Sequence, residues 1–242
     1  MRNIVFIVLM VGGTSLAFSD DWTGAWHRNS LNDSAEIVIT AAGSGKFHFA
    51  ITAFSGAHTG EIEGDALIKG DSAEWMTNED DVERRVGFER TTKGITVTTV
   101  ECEGYFGGAG VVFDGEYVSE VVPEEKLAEE RMMKLIPDAG LVKKIKALLG
   151  PSFVYVVSCL QLDASAHNLD DFHAKAIRGC VRGICPEMAA IVMYTPGQTL
   201  YVAWFQEGVV YYASSDLRYK KKLTVTIADW AEQYRDAQIV FK

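Results

Sequence analysis

The chain has 242 residues, which suits two small domains better than one. Its 33 acidic residues outnumber 23 basic ones for a formal charge of −10, so nucleic acid and anionic membrane surfaces are poor partners and cationic proteins favourable ones. Beyond the first 20 residues no stretch is long and apolar enough to span a bilayer, which excludes a helical membrane anchor.

Residues 1–19 read as a cleavable export signal. Arg2 supplies the positive start, and 4–11 form an apolar run about half as long as a spanning helix. Ala17-Phe18-Ser19 places small residues before a cleavage point at Asp20. No cysteine lies there, so a lipid anchor is not expected. A periplasmic or secreted protein follows, with an antiparallel β domain over 20–118 and an α+β domain over 119–242. Four cysteines remain, and in an oxidising compartment an even count reads as disulfides. Cys180 and Cys185 are the natural pair, because only four residues separate them. Cys102 with Cys159 would then tie the two domains together. Cys/His spacing for zinc is absent, so no metal or other cofactor is expected.

In chain order, 35–39, 47–51 and 95–100 alternate apolar with polar residues at period two, and 111–117 does so less cleanly. Turn signals fall at 43–45, Gly56, Gly70-Asp71 and Lys93-Gly94. Short strands at this spacing predict an antiparallel barrel or sandwich. Pro123 followed by Glu124, Glu125 and Glu129 opens a helix that Pro137 ends. Leu141, Ile145, Leu148 and Leu149 define a second helix ending at Gly150-Pro151. Strands are expected over 153–162 and 188–194, a hairpin over 199–205 and 209–213, and a last strand over 238–242. Thr226 with Asp229 reads as a capping box for a helix that buries Ile227, Trp230, Ala231 and Tyr234. The second domain is thus an antiparallel sheet with helices on one face.

The run Gly179-Cys180-Val181-Arg182-Gly183-Ile184-Cys185-Pro186-Glu187-Met188-Ala189-Ala190-Ile191-Val192-Met193-Tyr194 resembles the hallmark of the inhibitor of vertebrate lysozyme family. Gly150-Pro151-Ser152-Phe153-Val154 resembles an upstream segment of the same family, and the likeness is confined to 123–242. It implies a periplasmic protein whose disulfide-closed loop enters an enzyme cleft, with a histidine at mid-loop against the catalytic carboxylates. Gly183 stands at that position here, and Arg182 is the only charged residue of the loop. Arg182 can pair bidentately with a carboxylate, and a short cross-linked loop loses little entropy on binding. Val181, Arg182, Gly183 and Ile184 are therefore the candidate contacts to a protein partner, in a non-enzymatic binding protein. Thr23-Gly24-Ala25-Trp26 resembles the opening of lipocalin-like and avidin-like barrels, where the tryptophan closes the floor. That likeness implies the alternative function, a small-ligand carrier with a cavity ringed by Trp26, Phe47, Phe49 and Phe113.

Other chemistry-bearing residues have ordinary readings beside functional ones. His167, Asp170, Asp171 and His173 are dense enough for a metal or acid–base site, or Asn168 caps a helix with the two aspartates in its first turn. His48, His58 and Glu61 could meet across a barrel or simply face water. Cys159 with His167 or His173 is a conceivable nucleophile pair. Gly107-Gly108-Ala109-Gly110 lacks the following helix that a phosphate cradle needs, so a tight turn is expected. Asp216, Arg218 and Lys220-Lys221-Lys222 form a charged turn. Trp204, Tyr211, Tyr212 and Tyr219 could include a recognition surface.

Overall fold

The computed structural model describes residues 22–40 and 45–242. The expected export signal and turn residues 43 and 44 lie outside them. Eight strands form the first domain: β1 (Gly24–Arg28), β2 (Ala35–Thr40), β3 (Lys46–Ser55), β4 (His58–Lys69), β5 (Ser72–Glu79), β6 (Val82–Arg90), β7 (Gly94–Val100) and β8 (Gly115–Val118). Each pairs antiparallel with the next, and β1 returns to β8 at His27 and Val118 to close a barrel. Period-two alternation aims Ile37, Ile39, Phe47, Phe49, Ile51, Val86, Phe88, Ile95 and Val97 inward, none more than 2% exposed.

Side chains fill the interior. The Phe88 ring lies 5.3 Å from Phe47 and 4.8 Å from Phe49, and Trp22 closes on Phe47 at 5.2 Å. Burying each such ring is worth about 1.5–3 kcal/mol. Trp22, not Trp26, plugs the barrel. Trp26 is only partly buried and donates its indole N–H to the Trp22 carbonyl. The β5–β6 hairpin turns at Asp80-Asp81, both at positive φ. Gly107-Gly108-Ala109-Gly110 runs beside β4, where Glu61 donates to Phe106 O and Gly108 to Thr59 O, each at 3.0 Å.

The second domain begins with α1 (Glu124–Leu135) and α2 (Ala139–Leu149), as expected, and Asp138 caps α2 by accepting from Leu141 N. Where a strand was expected over 153–162, the chain forms α3 (Phe153–Ser158) and then β9 (Leu162–Ala166). Phe153, Val156, Val157 and Leu160 are all buried, at helical spacing, so core burial overrides the strand preference of the valines. The sheet continues with β10 (Lys175–Cys180), β11 (Ala189–Tyr194), β12 (Leu200–Gln206), β13 (Val209–Ser214) and β14 (Gln238–Phe241), in spatial order β14-β13-β12-β11-β10-β9. All its pairings are antiparallel except β13–β14, which is parallel and makes the sheet mixed.

Helices cover both faces, not one. Ala190, Val192, Val202 and Trp204 pack with α1–α3, while Ile191, Met193, Tyr201 and Tyr212 pack with α4 (Val225–Ala231). Strands apolar at both parities, like β11, require two covering layers. The cap of α4 is Thr224 rather than Thr226. Thr226 instead donates its hydroxyl to Asp170, whose carboxylate also accepts from Val225 N and Thr226 N.

The disulfide expectation is half right. Cys180 and Cys185 are bonded, with S–S 2.03 Å and Cα atoms 4.8 Å apart. Cys102 and Cys159 are free thiols, because each is enclosed by its own domain's core. Cys102 Sγ is 3.3 Å from the carbonyls of Arg85 and Val100 in the barrel wall. Cys159 follows α3, is fully buried, and burial pushes its thiol up to about 12.

Candidate functional site

The loop between β10 and β11 is built by its own backbone. Val181 N donates to Met188 O, Ile184 N to Val181 O and Glu187 N to Ile184 O, with the disulfide across the base. Gly183 takes φ +83°, which only glycine adopts without strain. Val181 is 4% exposed, Arg182 and Ile184 are half-buried, and Gly183 is exposed.

This loop does not stand free; it docks on the barrel. Arg182 O accepts from Ala57 N at 3.0 Å, at the turn between β3 and β4. Arg182 N donates to Gln161 Oε1 at 2.9 Å, and Gln161 Nε2 donates to Asp33 Oδ1 at 2.9 Å. Asp33 Oδ1 also accepts from Ser55 Oγ at 2.8 Å, and Asn32 Nδ2 donates to Ser158 O at 3.2 Å. Both domains contribute to this one hydrogen-bonded seam, and Leu31 packs onto the second domain's core.

Glycines set how closely the parts approach. A Cβ on Gly110 would lie 2.8 Å from Arg182 Cζ, so the guanidinium rests on the Gly107–Gly110 segment. The His58 imidazole sits between Gly108 and Gly183, since Cβ atoms there would fall 3.1 Å from Nδ1 and 2.9 Å from Nε2. Arg182 Nε is buried without a hydrogen-bond partner among the described residues. No carboxylate is within ion-pair distance of that guanidinium among the described residues. The arrangement therefore holds a cation by packing, not by charge. Beside the seam opens a polar cleft of about 240 Å³, lined by the 29–33 loop with Leu127, Arg131, Lys134 and Gln161.

The remaining candidates are dispersed. Asp170 accepts from the first N–H groups of α4, Asn168 Oδ1 accepts from Asp170 N, and His167 and His173 are exposed. His48 pairs with Asp65 at 2.9 Å, far along β3 from His58. Tyr155, not a histidine, is the ionisable side chain beside Cys159, and its hydroxyl donates to Phe205 O at 2.9 Å. Trp204 and Tyr212 are core, and Tyr211 stacks on Trp204 at 5.4 Å. Tyr219 packs on Tyr201 and Phe172. Asp216 is held by Arg218 and by the Tyr201 hydroxyl, leaving Lys220-Lys221-Lys222 exposed. Phe47, Phe49 and Phe113 of the proposed carrier cavity are themselves packed core, 0–1% exposed.

Sequence reasoning singled out Arg182, His58 and the glycine segment separately and missed that they meet. It missed Asn32, Asp33 and Gln161 altogether, because a hydrogen bond spanning 128 residues leaves no local signal. No family model, curated protein or solved structure matches the chain.

Proposed function

We propose that the chain is an exported, non-catalytic binding protein in which the Cys180–Cys185 loop locks two domains into one rigid body. The partner then meets a composite surface, formed by the exposed crest at Gly183, Pro186 and Glu187 together with Ala57, Ala109 and Gly110 of the barrel. The observation that carries this reading is the bonding of Arg182, which accepts from Ala57 N while its guanidinium lies on Gly110. A disulfide fits an oxidising compartment, periplasmic or extracellular. The ring-packed barrel favours a scaffold over a small-ligand carrier. Preorganisation of this kind lowers the entropic cost of binding.

Calorimetry tests the lock. The wild type should unfold in one transition, and replacing both bonded cysteines by serine should split it in two. A single transition that survives this change removes the loop from its coupling role. A c-type lysozyme assay tests the inhibitor role implied by the resemblance. Inhibition that is lost in Arg182→Ala while one transition persists would return the arginine to plugging a cleft.

A further inference from the structure

The open sheet ends on one side at β9, where one edge of the backbone has no neighbouring strand among the described residues. Leu162, Asp163, Ala164 and Ser165 are all exposed. Leu162-Asp163-Ala164-Ser165-Ala166 has neither lysine nor proline, two of the devices that blunt an edge. Its one charge, Asp163, is already paired with Arg131 at 2.5 Å. On the side facing α4, two hollows meet at Arg178 and Trp230. One, of about 300 Å³, adjoins Leu162 and Ala164; the other, of about 160 Å³, adjoins Ala166 and Leu169.

The geometry points to a second copy of this chain as the occupant, with β9 pairing antiparallel to β9 about a two-fold axis through Ala164. Leu162 then lies opposite the partner's Ala166, Asp163 opposite the partner's Ser165, and Ala164 opposite its own counterpart. Three features fit this register together. The small side chains at 163–166 let the backbones approach to hydrogen-bonding distance. Leu162, 38% exposed, comes within about 5 Å of the partner's Ala166 at the mouth of the smaller hollow, and the symmetry makes this contact twice. Asp163, its charge offset by Arg131, meets a serine hydroxyl that can donate to it. An axis through Asp163 would instead set two carboxylates face to face, which is unfavourable. The two six-stranded sheets become one, and the β9 edges of both copies are covered, with β14 left at each end. The pairing does not depend on what the composite surface of the seam binds.

Sedimentation of the purified protein tests the pairing. The wild type should sediment at twice the chain mass. Leu162→Asp and Ala164→Arg alter exposed side chains and should raise the dimer dissociation constant about tenfold or more, with the circular dichroism unchanged. Ala164→Cys should cross-link into covalent dimers under mild oxidation, whereas Ser165→Cys, facing the partner's Asp163, should not. The native free thiols are buried and do not compete. A wild type that is monomeric at all concentrations, leaving β9 to another protein's strand, overturns the proposal. So does a dimer that survives both substitutions, or one that dissolves only in Ile239→Lys, which would assign the pairing to β14. Cross-linking of Ser165→Cys but not Ala164→Cys overturns the register.

Discussion

In the barrel eight strands close on themselves and one interior takes every apolar face, whereas the six strands of the second domain stay open, bury both faces under helices and leave two edges. The first design concentrates stability in a single ring cluster. The second divides it between two cores, one on each face of the sheet. The Cys180–Cys185 loop joins these unlike halves, extending from the open sheet onto a turn of the closed one.

The deepest break in this comparison is a hole in the barrel. Phe88→Ala should cost about 3–5 kcal/mol. If the seam couples the halves, calorimetry will show the second domain's transition falling with the barrel's; a shift confined to the barrel separates them. Removing the disulfide should cost about 2 kcal/mol by the loop-entropy estimate, read as a lower urea midpoint for the second domain once its transition has separated from the barrel's. Gly110→Ala combines a positive φ of +79° with a contact on the Arg182 guanidinium and should cost about 1–3 kcal/mol. Paired with Arg182→Ala it should cost less than the sum of the two, because the contact is already gone; strict additivity in urea unfolding would mean that the guanidinium and the glycine segment are uncoupled.

Thiol labelling sharpens the comparison at each core. No cysteine should react in the native state and two should react in denaturant; none in denaturant would mean a Cys102–Cys159 bridge. The smallest effect is electrostatic. Hydrogen bonds from the Arg218 side chain and N–H hold the Asp216 carboxyl down at about 2, below its ordinary 3.8. Its contribution to stability is therefore present above the ordinary carboxylate range and lost as pH falls toward 2. Asp216→Asn should flatten the acid limb of a stability–pH profile, and an unaltered limb removes the ion pair from the account.

Period-two alternation in β2, β3 and β7, with turn signals between, made an antiparallel barrel or sandwich legible, and closure of β1 on β8 decides for the barrel. The β5–β6 hairpin was not read, because Asp80-Asp81 is an unobtrusive turn without glycine and β5 mixes exposed and half-buried residues. α1 and α2 were legible through Pro123, Pro137 and Gly150. α3 was hidden by the valines of Phe153-Val154-Tyr155-Val156-Val157, where tertiary burial decides the conformation. The bond between Cys180 and Cys185 was readable from spacing, but the direction in which the loop leans was not. Gly56, Ala57, Gly108 and Gly110 fix that direction from the other domain.

The bond from Asp170 to the start of α4 has a consequence for biosynthesis. A seven-residue helix cannot nucleate alone, and this one takes its first-turn acceptors from Asp170, 55 positions upstream of Val225. Its residues, with β14 behind them, follow every other strand of this sheet along the chain. Until they emerge, Ile191, Met193, Tyr201 and Tyr212 have no roof, so the growing chain carries a sticky apolar plate that a holding chaperone would have to shield.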